Sequence, residues 1–206
     1  PADGTYIVQV RESAYGGNGA CSYRLHVGTF PRPLAMIPAG GKCGEEVEVP
    51  FLGDAAGPFK QKFKLPAAPD AKFGLFAQDA GGVSPSPVPF SVSGFGNVIE
   101  TDGNNTPQTG TLVPQLPAAL NGVISKPAEV DYFRFQAKKG QTFDVHCFAR
   151  RHGSPLDSVL TVGVVGGGAW VANDAATGPD SSFPFPVPGA QAYHVSLPEP
   201  LQPGRP

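Results

Sequence analysis

Apolar and polar residues alternate along much of this chain, in short runs separated by Gly, Pro, Asn and Asp. Strict alternation puts every second side chain on one face of an extended strand. Tyr6, Val8 and Val10 share such a face after the turn Asp3-Gly-Thr, and Ser22 to Val27 alternates again beyond the turn-rich Tyr15-Gly-Gly-Asn-Gly-Ala loop, so two antiparallel strands are predicted. Phe30-Pro-Arg-Pro-Leu breaks the pattern and reads as a linker. Strands are then predicted at Glu45 to Leu52, Phe59 to Leu65, Lys72 to Gln78 and Phe90 to Val92. After the polar stretch Glu100-Thr-Asp-Gly-Asn-Asn-Thr-Pro, Asp131 to Ala137 turns Phe133 and Phe135 inward. Thr142 to Arg150 does the same with Phe143, Val145, Cys147 and Ala149, and further strands are expected at Val159 to Val165, Ala169 to Ala172, Ser182 to Phe185 and Tyr193 to Leu197.

No window carries apolar residues at a sustained helical period, and Gly and Pro, which cost about 1 and 3 kcal/mol inside a helix, recur throughout. The predicted fold class is therefore all-β, as tandem β-sandwiches. Short strands at even spacing make residues 31–97 a small sandwich of immunoglobulin type, without the Cys-Trp-Cys core of antibody domains. Residues 98–200 form a larger sandwich, and 201–206 a tail. Tyr6, Val8 and Val10 align with Tyr193, Val195 and Leu197, so residues 1–30 read as the C-terminal strands of an incomplete copy of the larger unit. On that alignment the chain is a fragment truncated at both ends, and the last unit lacks a counterpart of Ser22 to Val27.

Composition narrows the chemistry. The net charge is -2 with 16% charged residues, so there is no basic face for nucleic acid. No apolar run reaches the roughly 18 residues that span a bilayer, and the first ten residues lack the pattern of a signal peptide. Cys21, Cys43 and Cys147 have no CxxC spacing and no paired histidines, which argues against zinc. A Cys21 to Cys43 disulfide and free thiols both remain compatible with the sequence.

Asp131-Tyr-Phe-Arg-Phe, Gly140-Gln, Ser154-Pro-Leu-Asp-Ser, Asn173-Asp174, Pro179-Asp-Ser and Tyr193 follow one another in an order that resembles the bacterial pre-peptidase C-terminal (PPC) domain, in the form repeated in large planctomycete proteins. Asp3-Gly-Thr-Tyr and Tyr23-Arg-Leu-His-Val-Gly resemble the tail of another copy. Pro38-Ala-Gly-Gly-Lys and Val47-Glu-Val-Pro-Phe-Leu-Gly are similar to the immunoglobulin-like insert between such copies. The resemblance implies a jelly-roll-like sandwich in a secreted, periplasmic or cell-surface protein. In relatives such domains accompany peptidases and other secreted enzymes, and some bind collagen or polysaccharide, with calcium ordering the leading segment. A leading signature of two acidic residues followed by Pro-Asn-Asp matches Glu100, Asp102, Asn104 and Asn105, with Gly103 in place of Pro. Asn105 in place of the acid removes one negative charge and weakens calcium binding.

Calcium takes six to eight hard oxygen ligands. Glu100, Asp102, Asn104 and Asn105 crowd four oxygen-bearing side chains together, and Glu129 and Asp131 are the candidates to fold beside them. A plain polar linker rich in turn formers has the same composition. Asn173, Asp174 and Asp180 read as a solvated turn, Ala175 standing where the resemblance implies another acid. His146, His152, Ser154 and Asp157 include the residue types of a hydrolytic triad, but no GxSxG elbow holds the serine. Trp170 fits a core position, whereas an exposed Trp would stack on a sugar ring.

The expected function is a non-catalytic binding or adhesion module of a large secreted or cell-surface multidomain protein, with calcium as the candidate cofactor. Extracellular polysaccharide or protein and other domains of the parent chain are the expected partners. Purely structural spacing, or service as an accessory domain of a secreted peptidase or other hydrolase, are the alternatives.

Overall fold

The computed structural model describes residues 2–174 and 180–198, with the side chains of 169, 170 and 172–174 outside that description. It is 38% strand and 2% helical, so the expected all-β class holds. Among the described residues no helix is long and apolar enough to cross a membrane.

The alternating runs build two separate cores. In the first unit β1 (Glu46–Leu52) and β2 (Phe59–Lys64) pair antiparallel from Glu46 with Lys64 to Phe51 with Phe59. Lys60, Lys62 and Lys64 face solvent, while Phe59 and Phe63 turn toward the core. Phe51 is fully buried, stacking on Phe59 at 5.2 Å and meeting the edge of Phe63 at 6.0 Å. Ala35–Met36 extends this sheet past β1. Across the core lie short pairs, Gly40–Lys42 parallel with Ser91–Ser93 and Gly74–Leu75 antiparallel with Val88–Pro89. The predicted strand Lys72 to Gln78 is thus divided, its end pairing separately as Gln78–Asp79 with Gly82–Val83.

The second unit contains β3 (Val130–Ala137), β4 (Thr142–His146), β5 (Val159–Val164), β6 (Ala169–Asp174), β7 (Ser182–Pro186) and β8 (Gln191–Pro198). One sheet runs in the order Thr111–Leu112, β3, β8, β5, β6, and β4 pairs with β7 in another. Their inner faces share one hydrophobic cluster that includes Phe133, Phe135, Cys147, Phe183, Phe185, Tyr193 and Val195. Tyr193 is fully buried, yet its hydroxyl donates to the Gly189 carbonyl at 2.8 Å, so the phenol enters the core without an orphaned donor.

Residues 2–34 differ from expectation. They contain no strand, and Tyr6, Val8, Val10, Tyr23, Leu25 and Val27 are exposed. Alternation makes a segment fit for a sheet, but two such segments with no third strand or helix to cover them recover too little apolar area to order as a hairpin. Phe30 to Leu34, expected as a linker, docks on the first unit instead. Pro31 and Pro33 are buried, and the Leu34 N–H donates to the Leu52 carbonyl at 2.9 Å.

Candidate functional site

A set of converging polar side chains lies where the two units meet. Asn97–Ile99 runs parallel to Ala119–Asn121, which brings two asparagines face to face. Asn97 Nδ2 donates to the Gly40 carbonyl at 2.7 Å, and Asn121 Oδ1 accepts the Ala39 N–H at 3.1 Å. Asn121 Nδ2 also donates to Asn97 Oδ1 at 3.1 Å. Two amide side chains thereby clip the first unit to the second.

Glu100 follows directly. Its N–H donates to the Asn121 carbonyl at 2.9 Å, its Oε1 accepts the Val123 N–H at 2.7 Å, and its Oε2 accepts Asn104 Nδ2 at 3.4 Å. Asn104 and Asp131 are both buried. Asp131 is on the face of β3 that carries Phe133 and Phe135, so the period of the strand forces its carboxyl inward. Burial, followed by the Glu100 charge and a hydrogen bond to Glu100, pushes Asp131 up to about 7, while a hydrogen bond from Asn104 opposes the rise. Two carboxyl groups this close hold one proton between them near neutral pH, or hold a cation.

Gly122 makes the closeness possible. A Cβ there would sit 2.7 Å from Glu100 Oε2 and 3.4 Å from Asp131 Oδ2. Gly122→Ala is expected to push the Glu100 carboxylate off Asp131 and lower the Asp131 pKa from about 7, which an NMR titration of the Asp131 carboxyl carbon would read. An unmoved pKa would show that Glu100 yields without leaving its partner.

Of the six side chains proposed to hold calcium, the structure brings Glu100, Asn104 and Asp131 together. Asp102 and Asn105 are exposed on the loop. Glu129 folds back on its own turn, accepting from the Ser125 hydroxyl at 2.8 Å and the Lys126 N–H at 3.2 Å. Hydrogen bonds from the Ser125 backbone and hydroxyl hold its carboxyl below the usual range. Among the described residues no cluster of three or more His, Cys, Asp or Glu side chains is placed to hold a metal ion. Asn104 turns its amide nitrogen toward the carboxylates, so a cation ligand set needs that amide to flip and present Oδ1.

The triad residue types are dispersed. Ser154 Oγ accepts the Leu156 N–H at 3.2 Å, and Asp157 pairs with Arg150 at 3.6 Å. His152 instead crosses to the first unit, with Nε2 3.2 Å from Ser91 Oγ and Nδ1 3.2 Å from the Pro89 carbonyl. The carbonyl can only accept, so Nδ1 carries a proton and Nε2 is free to accept from the serine. Burial pushes the His152 pKa down, favouring that neutral form. This pair has the look of a base and a nucleophile, but Ser91 sits in a strand paired with Gly40, and the group orienting His152 is a backbone carbonyl. It serves as a second fastening at the junction.

Asp180, expected in a solvated turn, is buried and accepts the N–H groups of Ala149, Arg150 and Arg151 at 3.1, 2.8 and 3.3 Å. It thereby fixes the one-turn helix Arg150–His152 that presents His152. The side chains of Trp170, Asn173 and Asp174 lie outside the described residues. Cys21, Cys43 and Cys147 are all free. Sequence patterns gave no warning of the Asn97 and Asn121 clip or of Ser91, because their partners are far along the chain. No family model and no curated protein matches the chain.

Proposed function

We propose that this chain is a non-catalytic binding segment of a larger extracytoplasmic protein, with PPC-like and immunoglobulin-like sandwiches, whose second unit engages extracellular polysaccharide or protein. The observation that carries this reading is a pair of exposed aromatic rings at the end of β4. The exposed rings of His146 and Phe148 stack with their planes parallel to within 4° and their centres 6.0 Å apart, and the Arg151 guanidinium stands over the Phe148 ring, 5.1 Å from its centre. Aromatic faces of this kind accept the C–H face of a sugar or the side of an extended peptide, and a cation beside them adds hydrogen-bond donors.

Screening on glycan and collagen arrays tests the reading. Phe148→Ala is expected to weaken any retained ligand by about 1 kcal/mol, roughly fivefold. Arrays that stay blank, or binding unchanged by the substitution, reject it. A spacer role is the second reading, and the junction supports it. The two Asn side chains and His152 fix one unit on the other, as a stalk requires.

Calcium binding belongs to the same proposal, at Glu100, Asp131 and a flipped Asn104. With two carboxylates in place of a full ligand set, the expected dissociation constant is on the order of 0.1–1 mM, as in extracellular modules. Calorimetry should show this heat and lose it in Asp131→Asn. Absence of heat at several millimolar calcium would remove calcium from the proposal and leave the aromatic surface as it stands.

A further inference from the structure

Strand β4 has one paired edge and one open edge. The bonds flanking its ladder with β7, Cys147 N–H to the Ser181 carbonyl at 2.9 Å and Val187 N–H to the Gln141 carbonyl at 2.8 Å, fix the phase of the pairing. Odd-numbered residues of β4 turn their backbone N–H and C=O toward β7, and Thr142, Asp144 and His146 turn theirs outward. On β7 the outward positions are Ser182, Pro184 and Pro186. Proline has no N–H to offer, so the outer edge of β7 is guarded against further pairing. The outer edge of β4 keeps every donor and acceptor, and among the described residues no strand pairs with it.

The same chain contains a segment of the matching kind. Ser22 to Val27 forms no strand, although Tyr23, Leu25 and Val27 alternate with Ser22, Arg24 and His26 and are 73%, 51% and 76% exposed. We propose that Ser22 to Val27 of a second copy of this chain adds antiparallel to the open edge of β4, with Arg24 opposite Asp144. In that register Tyr23 lies opposite half-buried Val145, and Leu25 opposite half-buried Phe143. Apolar side chains meet on the core side, and opposite charges meet on the solvent side. Phe143 lines a groove with Leu116, Ala137 and Gln141, which Leu25 would close.

A second molecule is the donor because the segment is tied to the wrong unit in its own chain. The Thr29 carbonyl packs against Gly81, Pro31 is buried, and the Arg32 N–H is bonded to Asp54. Only Gly28 separates Val27 from that anchor on the first unit. Among the described residues, the first hydrogen bond from this part of the chain to the second unit comes at Ala39, whose N–H meets Asn121. Two copies exchanging this segment reciprocally make a closed, symmetric pair.

Sedimentation of the 206-residue chain tests the proposal. The mass is expected to rise toward twofold with concentration. Leu25→Glu should hold the chain monomeric, and so should Asp144→Pro, which removes only an outward N–H in phase with Pro184 and Pro186. Arg24→Asp should weaken association, and Asp144→Arg in that background should restore it. If Asp144→Pro does not fold, the Leu25 and Arg24 variants decide, since both side chains are exposed in the single chain. A monomer at every concentration overturns the proposal, whether or not the amides of residues 22–27 are protected from hydrogen exchange. So does association that survives Leu25→Glu.

Discussion

Replacing Phe51 with alanine is expected to destabilise the first unit by about 3–5 kcal/mol, the range for truncating a buried aromatic, while the second unit stays folded. Phe51 is fully buried between Phe59 and Phe63, so the deletion leaves a cavity that neighbours in a paired sheet can only partly close. The two hydrophobic clusters share no residue, which confines the damage. Hydrogen exchange should show lost protection across Glu46–Leu52 and Phe59–Lys64, with Val130–Ala137 and Gln191–Pro198 unchanged. Phe185→Ala is the mirror experiment, since Phe185 is fully buried in the other cluster. If either substitution releases both units together, the junction transmits folding and the cores are not independent.

Asp131→Asn is expected to stabilise the protein most at pH 7.5–8, by a smaller amount at pH 5, and not at all below the unfolded value of 3.8. The Asp131 carboxyl titrates at about 7 in the fold, against an ordinary value of 3.8. Between those two values the folded chain holds a proton that the unfolded chain releases, so stability falls as pH rises through the window. An asparagine amide mimics the protonated acid, donating to Glu100 at every pH. Each pKa unit is worth about 1.4 kcal/mol, and solvent screening reduces the share that reaches stability, so the expected gain is about 1–2 kcal/mol. Urea unfolding at about pH 3, 5 and 8 measures it, with the gain growing across the series. A loss of stability at pH 8 would mean that the carboxylate is needed in charged form, and millimolar calcium in the parent chain should then supply the missing stabilisation.

The buried Asp131 illustrates what the sequence could disclose. Its position two before Phe133 and four before Phe135 puts it on the core face, a consequence of the alternation that predicted β3, although the sequence alone marks Asp131 only as a candidate calcium ligand. Phe143, Val145, Cys147 and Ala149 likewise turn inward as the pattern requires. Alternation fails where the partner decides. Tyr6 to Val10 and Ser22 to Val27 have as regular a pattern as β3, but a period describes a willingness to pair and carries no information about which strand is present to pair with. Glu100 and Asn104 come together because they are near neighbours in the chain, whereas Asp131 reaches them only through the placement of β3. Glu129 takes the closer donors of its own turn, Ser125 and Lys126, while its charge still reaches Asp131. The contacts that fasten the junction join residues 24, 61 and 82 positions apart, beyond the reach of any local pattern.

Those fastenings have a consequence for the medium in which the protein works. Asn97, Asn121 and a His152 held neutral by burial join the units through hydrogen bonds between uncharged groups. Counterions screen attraction between charges over roughly 8–10 Å at ordinary ionic strength, and they have little hold on amide and carbonyl dipoles in contact. A joint built this way keeps its angle from dilute water to brine, where one built from ion pairs would loosen as the salt rises.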